Sequence, residues 1–261
     1  MATVTSTPHP DPAALRISGL HKRFGGAVAV DHVDLMVPQG SFFGLVGPNG
    51  AGKTTLLSMA VGLLRPDSGT SAVLDADVWR QPIEAKARLG VLPDNLAMPE
   101  RLTGREVLTF IGQLRGLDPS LVAARTQELL ETMELTKAES TLIIDYSTGM
   151  RKKIGLALAL LHNPRVLVLD EPFEAIDPVS AVTLKTLLQR FVAKGGSVVL
   201  SSHVMALVEQ LCDTVAVMAA GRVLISGSLA EVRGAGTLER AFVRLVGVRP
   251  TSGEGLEWLG S

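Results

Sequence analysis

Apolar and polar positions along this chain fall into two alternating patterns. FFGLV (Phe42 to Val46) is apolar at every position, as expected of a strand buried on both faces. VLVL (Val166 to Leu169) repeats it, SVVLSSH (Ser197 to His203) reads as a further strand, and LGVLP (Leu89 to Pro93) is a shorter version. TTLLSMAVGLL, a few residues after the first run, predicts a helix. Between roughly Asn95 and Ser147 the period is helical: Thr103 and Glu106 predict a capping box before VLTFIGQL, and SLVAARTQELLETMEL predicts a second amphipathic helix. Ahead of FFGLV, the stretch LRISGLHKRFGGAVAVDHVDLMVP alternates apolar and polar residues between turn signals, as antiparallel strands with one wet face do. This order predicts an α/β fold: a core on a mostly parallel sheet, an antiparallel β subdomain, and an α-helical subdomain inserted at about 95–160. The folded domain is expected over 14–245, between a loose N-terminal tail, 1–13, and a C-terminal tail, 246–261, which is poor in apolar residues.

Composition narrows the classes without choosing among them. The 261 residues are 46% hydrophobic and 20% charged, ordinary for a globular domain, and the net charge of −1 gives no global sign of a nucleic-acid partner. Cys212 is the only cysteine, so an intrachain disulfide is excluded and a reducing compartment is expected, with the thiol as an apolar filler. IGLALALL (Ile154 to Leu161) is far too short to span a bilayer and reads as a buried helix segment. The N-terminal MATVTSTPHPDPAAL lacks the basic and apolar segments of a signal peptide, so any membrane association is expected to go through a partner.

The chemistry gathers where the apolar runs end. GPNGAGKTT directly follows FFGLV. Its glycines allow backbone N–H groups to turn inward, and the helix that follows adds further N–H donors with its positive dipole end. Gly47, Pro48, Asn49, Gly50, Ala51, Gly52, Lys53, Thr54 and Thr55 are therefore expected to cradle a nucleoside triphosphate, with Lys53 on the outer phosphates and the Thr54 hydroxyl on Mg²⁺. Asp170 and Glu171 emerge at the C-terminal end of the VLVL strand, where open α/β sheets bind ligands. There Asp170 is placed to hold Mg²⁺ through water and Glu171 to polarise the attacking water, although DEP on its own is equally a strand ending in a turn. His203 lies one strand along, within plausible reach of a terminal phosphate.

Taken together, these residues resemble the nucleotide-binding subunit of ATP-binding cassette (ABC) transporters, over about Leu15 to Gly227 and in the family's motif order. GPNGAGKTT is similar to Walker A, Asp170 with Glu171 to Walker B and the catalytic glutamate, EAIDP with Asp177 to the D-loop, and His203 to the switch histidine. Phe24 stands where the family places an aromatic that stacks on adenine; otherwise it reads as a core aromatic. YSTGMRKK (Tyr146 to Lys153) resembles the signature motif, with Ser147 and Gly149 opening a helix toward the phosphate of a second cassette; a simple helix cap is the other reading of Ser147. Asp94, in VLPDN, stands where the family carries a glutamine that contacts Mg²⁺ and water.

The resemblance implies a P-loop NTPase core and an ATP-hydrolysing subunit using ATP and Mg²⁺, with catalytic Glu171 and His203 and metal contacts from Thr54, Asp170 and Asp94. It implies as partners a second ABC cassette and separate transmembrane permease subunits, no nucleic acid, and a place in the cytoplasm on the inner face of the cell membrane. YSTGMRKK and EAIDP resemble cassettes of type-2 exporters. The alternative is a soluble, non-transport ABC ATPase acting on nucleic acid or the ribosome.

Overall fold

The computed structural model describes residues 13–247. Strands β1 (Ala13–Phe24) and β2 (Ala27–Pro38) form a long antiparallel hairpin, and β3 (Phe42–Val46) then enters the core. Next come α1 (Lys53–Ala60), β4 (Ser68–Val73), the two-residue β5 (Ala76–Asp77), α2 (Pro82–Arg88) and β6 (Leu89–Leu92). The inserted helices are α3 (Gly104–Leu114), α4 (Pro119–Thr132) and α5 (Thr148–Leu160). The chain returns through β7 (Val166–Asp170), α6 (Pro178–Ala193), β8 (Ser197–Ser202) and α7 (Met205–Leu211), and closes with β9 (Thr214–Ala219), β10 (Arg222–Ser228), α8 (Leu229–Arg233) and α9 (Leu238–Val246).

Two sheets result, in the orders β2-β1-β4-β5 and β10-β9-β3-β8-β7-β6. The first is antiparallel, and the second is parallel except where β10 turns back on β9. Strand alternation divides the core in two. On β7, Leu167 and Leu169 face the cluster built with α3 to α7, whereas Val166 and Val168 face the cluster built with the antiparallel sheet and α1. Period-2 geometry sends neighbours to opposite faces, so a strand covered on both sides must be apolar throughout. This is why FFGLV and VLVL carry no polar position.

The inserted helices are held by local chemistry as well as packing. Thr103 caps α3 in a capping box with Glu106, and Asp118 accepts from Ser120 N–H and Leu121 N–H at the start of α4. Each such cap contributes about 1 kcal/mol. Of the expected tails, only Ala13 and the residues Val246 and Gly247 lie within the described part: Ala13 opens β1, Val246 ends α9, and Gly247 caps it at φ 69°. The rest of both segments lies outside the described residues.

Candidate nucleotide site

Parallel pairing brings three chain segments to one edge of the second sheet. β3 pairs with β8 and β8 with β7, in registers that set Val46 beside Ser202 and Asp170 beside Ser201. The glycine loop, the Asp170–Glu171 pair and His203 therefore leave adjacent strands at the same end. There they enclose a cleft of about 380 Å³ lined by Asn49, Gly50, Gly52, Lys53, Thr54, Thr55, Asp94, Glu171 and His203, together with Ala29 and Glu174.

The loop is packed as a cradle. At Gly52 the backbone has φ 101°, and a Cβ there would come within 2.3 Å of the Ala29 carbonyl oxygen. At Gly47 a Cβ would lie 2.1 Å from the Met218 carbonyl oxygen. Glycine at both positions is thus demanded by sterics. No side chain caps the N-terminus of α1, whose first turn also carries no acidic residue. The N–H groups of Lys53, Thr54 and Thr55 have no intrahelical acceptor, and they open on the cleft with the positive end of the helix dipole. That geometry suits phosphate oxygens.

Lys53 is 6% exposed. Its ammonium donates to the carbonyls of Gly47 at 2.8 Å and Pro48 at 3.3 Å, and stands 3.7 Å from Glu171 Oε1. His203 Nδ1 lies 3.1 Å from the same Oε1. Glu171 holds φ +46°, a left-handed conformation that costs a non-glycine residue about 1 kcal/mol or more. Ser201, fully buried on β8, fixes this turn: its Oγ accepts from Glu171 N–H at 3.0 Å while its hydroxyl donates to Asp170 Oδ1.

The expected site residues divide into groups. Asn49, Gly50, Gly52, Lys53, Thr54, Thr55, Asp94, Glu171 and His203 meet in the cleft, whereas Gly47, Pro48, the buried Ala51 and Asp170, 4% exposed, are not part of its lining. Phe24 stands apart at the end of the β1–β2 hairpin, 52% exposed, with Lys22 Nζ 5.7 Å from its ring centre. Ser147 and Gly149 do not line this cleft; they stand at the start of α5, where Ser147 Oγ accepts from Met150 N–H at 3.2 Å. Asp177 caps α6, and hydrogen bonds from Ser180 hold its carboxyl below the usual range. Sequence reasoning missed Ser201, Glu174 and Lys152, the last of which donates to Asp94 Oδ1 at 3.2 Å. For Lys152 a signal existed: two lysines in a helix that is otherwise apolar on most faces.

A phosphate loop between a buried strand and an uncapped helix, facing carboxylates and a histidine across the same sheet edge, defines a P-loop nucleoside triphosphatase. The ABC transporter family model matches residues 30–174, and the chain belongs to that family, as an ATP-binding and ATP-hydrolysing subunit. It is 37% identical to a daunorubicin resistance ATP-binding protein of Streptomyces coeruleorubidus over 84% of this chain and 70% of the relative. Identity is 33% with the linearmycin resistance ATP-binding protein of Bacillus subtilis, over 84% of this chain and 70% of that protein. Among solved structures, the ATP-binding subunit of an ABC transporter superposes with a TM-score of 0.83 at 27% identity, covering 89% of this chain and 99% of that one.

Proposed function

We propose that this chain powers a type-2 ABC exporter as one of two cassettes docked on separate transmembrane permease subunits at the cytoplasmic face of the membrane. The observation that carries the reading is the convergence of the α1 N-terminus, Lys53, Glu171 and His203 on one cleft. Outward transport is supported by relatives named for drug resistance; no helix among the described residues is long and apolar enough to cross a membrane. Those relatives do not favour a non-transport ATPase acting on nucleic acid or the ribosome.

Within the cleft, the α1 N–H groups and Lys53 bind the phosphates of ATP. Glu171 accepts a proton from the attacking water, and His203, against the same carboxylate oxygen, orients it and reaches the terminal phosphate. The exposed ring of Phe24 offers a face for adenine. Thr54 and Asp170 offer hard oxygen donors that suit Mg²⁺, which would supply neutralisation of phosphate charge; Asp94, expected with them, has Oδ1 taken by the Lys152 ammonium. Ser147 and Gly149, which do not line the chain's own cleft, serve the nucleotide of a second cassette across a head-to-tail dimer. Lys53→Ala tests the cleft: equilibrium titration with a fluorescent ATP analogue should find binding abolished while thermal stability persists, and unchanged affinity would refute the site.

A further inference from the structure

Asp94 sets a problem for this cleft. It follows β6 and lines the same cleft as Lys53, Glu171 and His203, where a nucleoside triphosphate brings up to about four negative charges. An uncompensated carboxylate within a few ångströms of those phosphates would weaken their binding by roughly tenfold or more, taking the effective dielectric typical near protein surfaces.

The compensation comes from a helix remote in sequence. Lys152, on α5, is 7% exposed, which for an ammonium is costly unless it is paired and hydrogen-bonded. Its Nζ donates to Asp94 Oδ1 at 3.2 Å and to the backbone carbonyl of Asp170 at 3.4 Å. Both partners belong to the nucleotide site, although 58 residues separate Lys152 from Asp94 and 18 separate it from Asp170. Lys53, the buried lysine that lines the cleft, is occupied by the carbonyls of its own loop and by Glu171.

We propose that Lys152 is a positioning residue of the nucleotide site: it neutralises Asp94 and fixes it against the Asp170 strand end, so that a cleft carrying an extra carboxylate accepts ATP. This rests on the ATPase reading above. Its substrate consequence is graded by charge, because the ammonium screens Asp94 most from the ligand with the most phosphates.

The test is a double-mutant cycle on the full chain, read by equilibrium titration with fluorescent ATP and ADP analogues in the presence of Mg²⁺. Lys152→Gln keeps hydrogen-bonding capacity and removes the charge; it should weaken ATP binding roughly tenfold and ADP binding by less. Asp94→Asn with Lys152→Gln should bring ATP affinity back to within about threefold of wild type, because both charges are gone. Lys152→Arg, which keeps the charge, should also bind ATP to within about threefold of wild type. A Lys152→Gln protein within about twofold of wild type, a double variant as weak as Lys152→Gln, or an arginine variant as weak as the glutamine one would each overturn the inference. If Lys152→Gln does not fold, the double variant is compared with Asp94→Asn alone. Equal ATP affinity supports the inference, and a roughly tenfold loss overturns it, since Lys152 would then act other than through Asp94. Lys53→Ala in parallel keeps the two claims apart: persistent ATP binding in that variant defeats the reading of the cleft, whereas flat Lys152 results beside a dead Lys53→Ala defeat only this one.

Discussion

Ser201→Ala removes a single oxygen that serves both halves of the carboxylate pair. The Ser201 hydroxyl donates to Asp170 Oδ1 and its Oγ accepts from Glu171 N–H at 3.0 Å, and Ser201 and Asp170 are both buried. The alanine leaves one buried donor and one buried acceptor unpaired, at about 1–3 kcal/mol each, so a net loss of about 2–3 kcal/mol is expected after local relaxation. For a chain of this size that corresponds to a fall in Tm of about 5–10 °C. Catalysis should suffer separately. Glu171 sits at φ +46°, a conformation that persists only where its surroundings impose it, and the lost acceptor lets the turn relax. A displacement on the order of 1 Å of the group that activates water lowers turnover by roughly a hundredfold. ATP affinity should change little, because the glycine loop and Lys53 are untouched. Thermal melts, analogue titration and steady-state phosphate release on one preparation separate these effects. Turnover within about twofold of wild type alongside a lowered Tm would show that Ser201 stabilises the fold without positioning Glu171.

Two further expectations concern the loop and a half-buried histidine. Gly52→Ala places a Cβ 2.3 Å from the Ala29 carbonyl oxygen at φ 101°, so the loop must shift; ATP affinity measured by analogue titration should fall by roughly tenfold or more, with a stability loss of about 2 kcal/mol. His162 donates from Nε2 to the Leu89 carbonyl at 3.1 Å, and burial, followed by the Arg115 charge, pushes its pKa down to about 4. The unfolded chain then binds a proton below about pH 6.5 that the folded chain refuses until about pH 4, so stability is present above that window and lost as pH falls through it. Discounted for the solvent around a half-buried ring, the loss is about 1–2 kcal/mol; from pH 7 to pH 5 the unfolding free energy of wild type, from denaturant melts, should fall by that much more than that of His162→Gln, and parallel pH dependences would refute the assignment.

What could be read from the sequence was what neighbouring residues decide together. FFGLV and VLVL declared themselves because two covered faces exclude polar side chains, and β7 extends just one residue further, to Asp170. The capping box at Thr103 and the buried Cys212 were equally local. TTLLSMAVGLL was read as one helix, yet α1 stops at Ala60: Gly62 takes φ +78° and the N–H groups of Leu63 and Leu64 fold back onto the Ser58 carbonyl. His203 falls just beyond β8, whose last residue is Ser202. Most of the cleft was legible because the loop and the carboxylate pair are each contiguous. Ser201 was not, since its task depends on the parallel register that sets it beside Asp170. The two adjacent lysines of α5 were a local signal, but that Lys152 reaches Asp94 follows from the packing of α5 against β6, which no local pattern encodes.

Glu171→Gln reaches the chemistry at its root, because the amide keeps the shape and hydrogen-bonding reach of the carboxylate beside Lys53 and His203 while losing its basicity. Phosphate release from ATP by this variant, at nucleotide concentrations that saturate binding, should fall by roughly 10²–10⁴ below wild type with ATP affinity retained. Turnover within about threefold of wild type would contradict hydrolysis by Glu171 at this cleft.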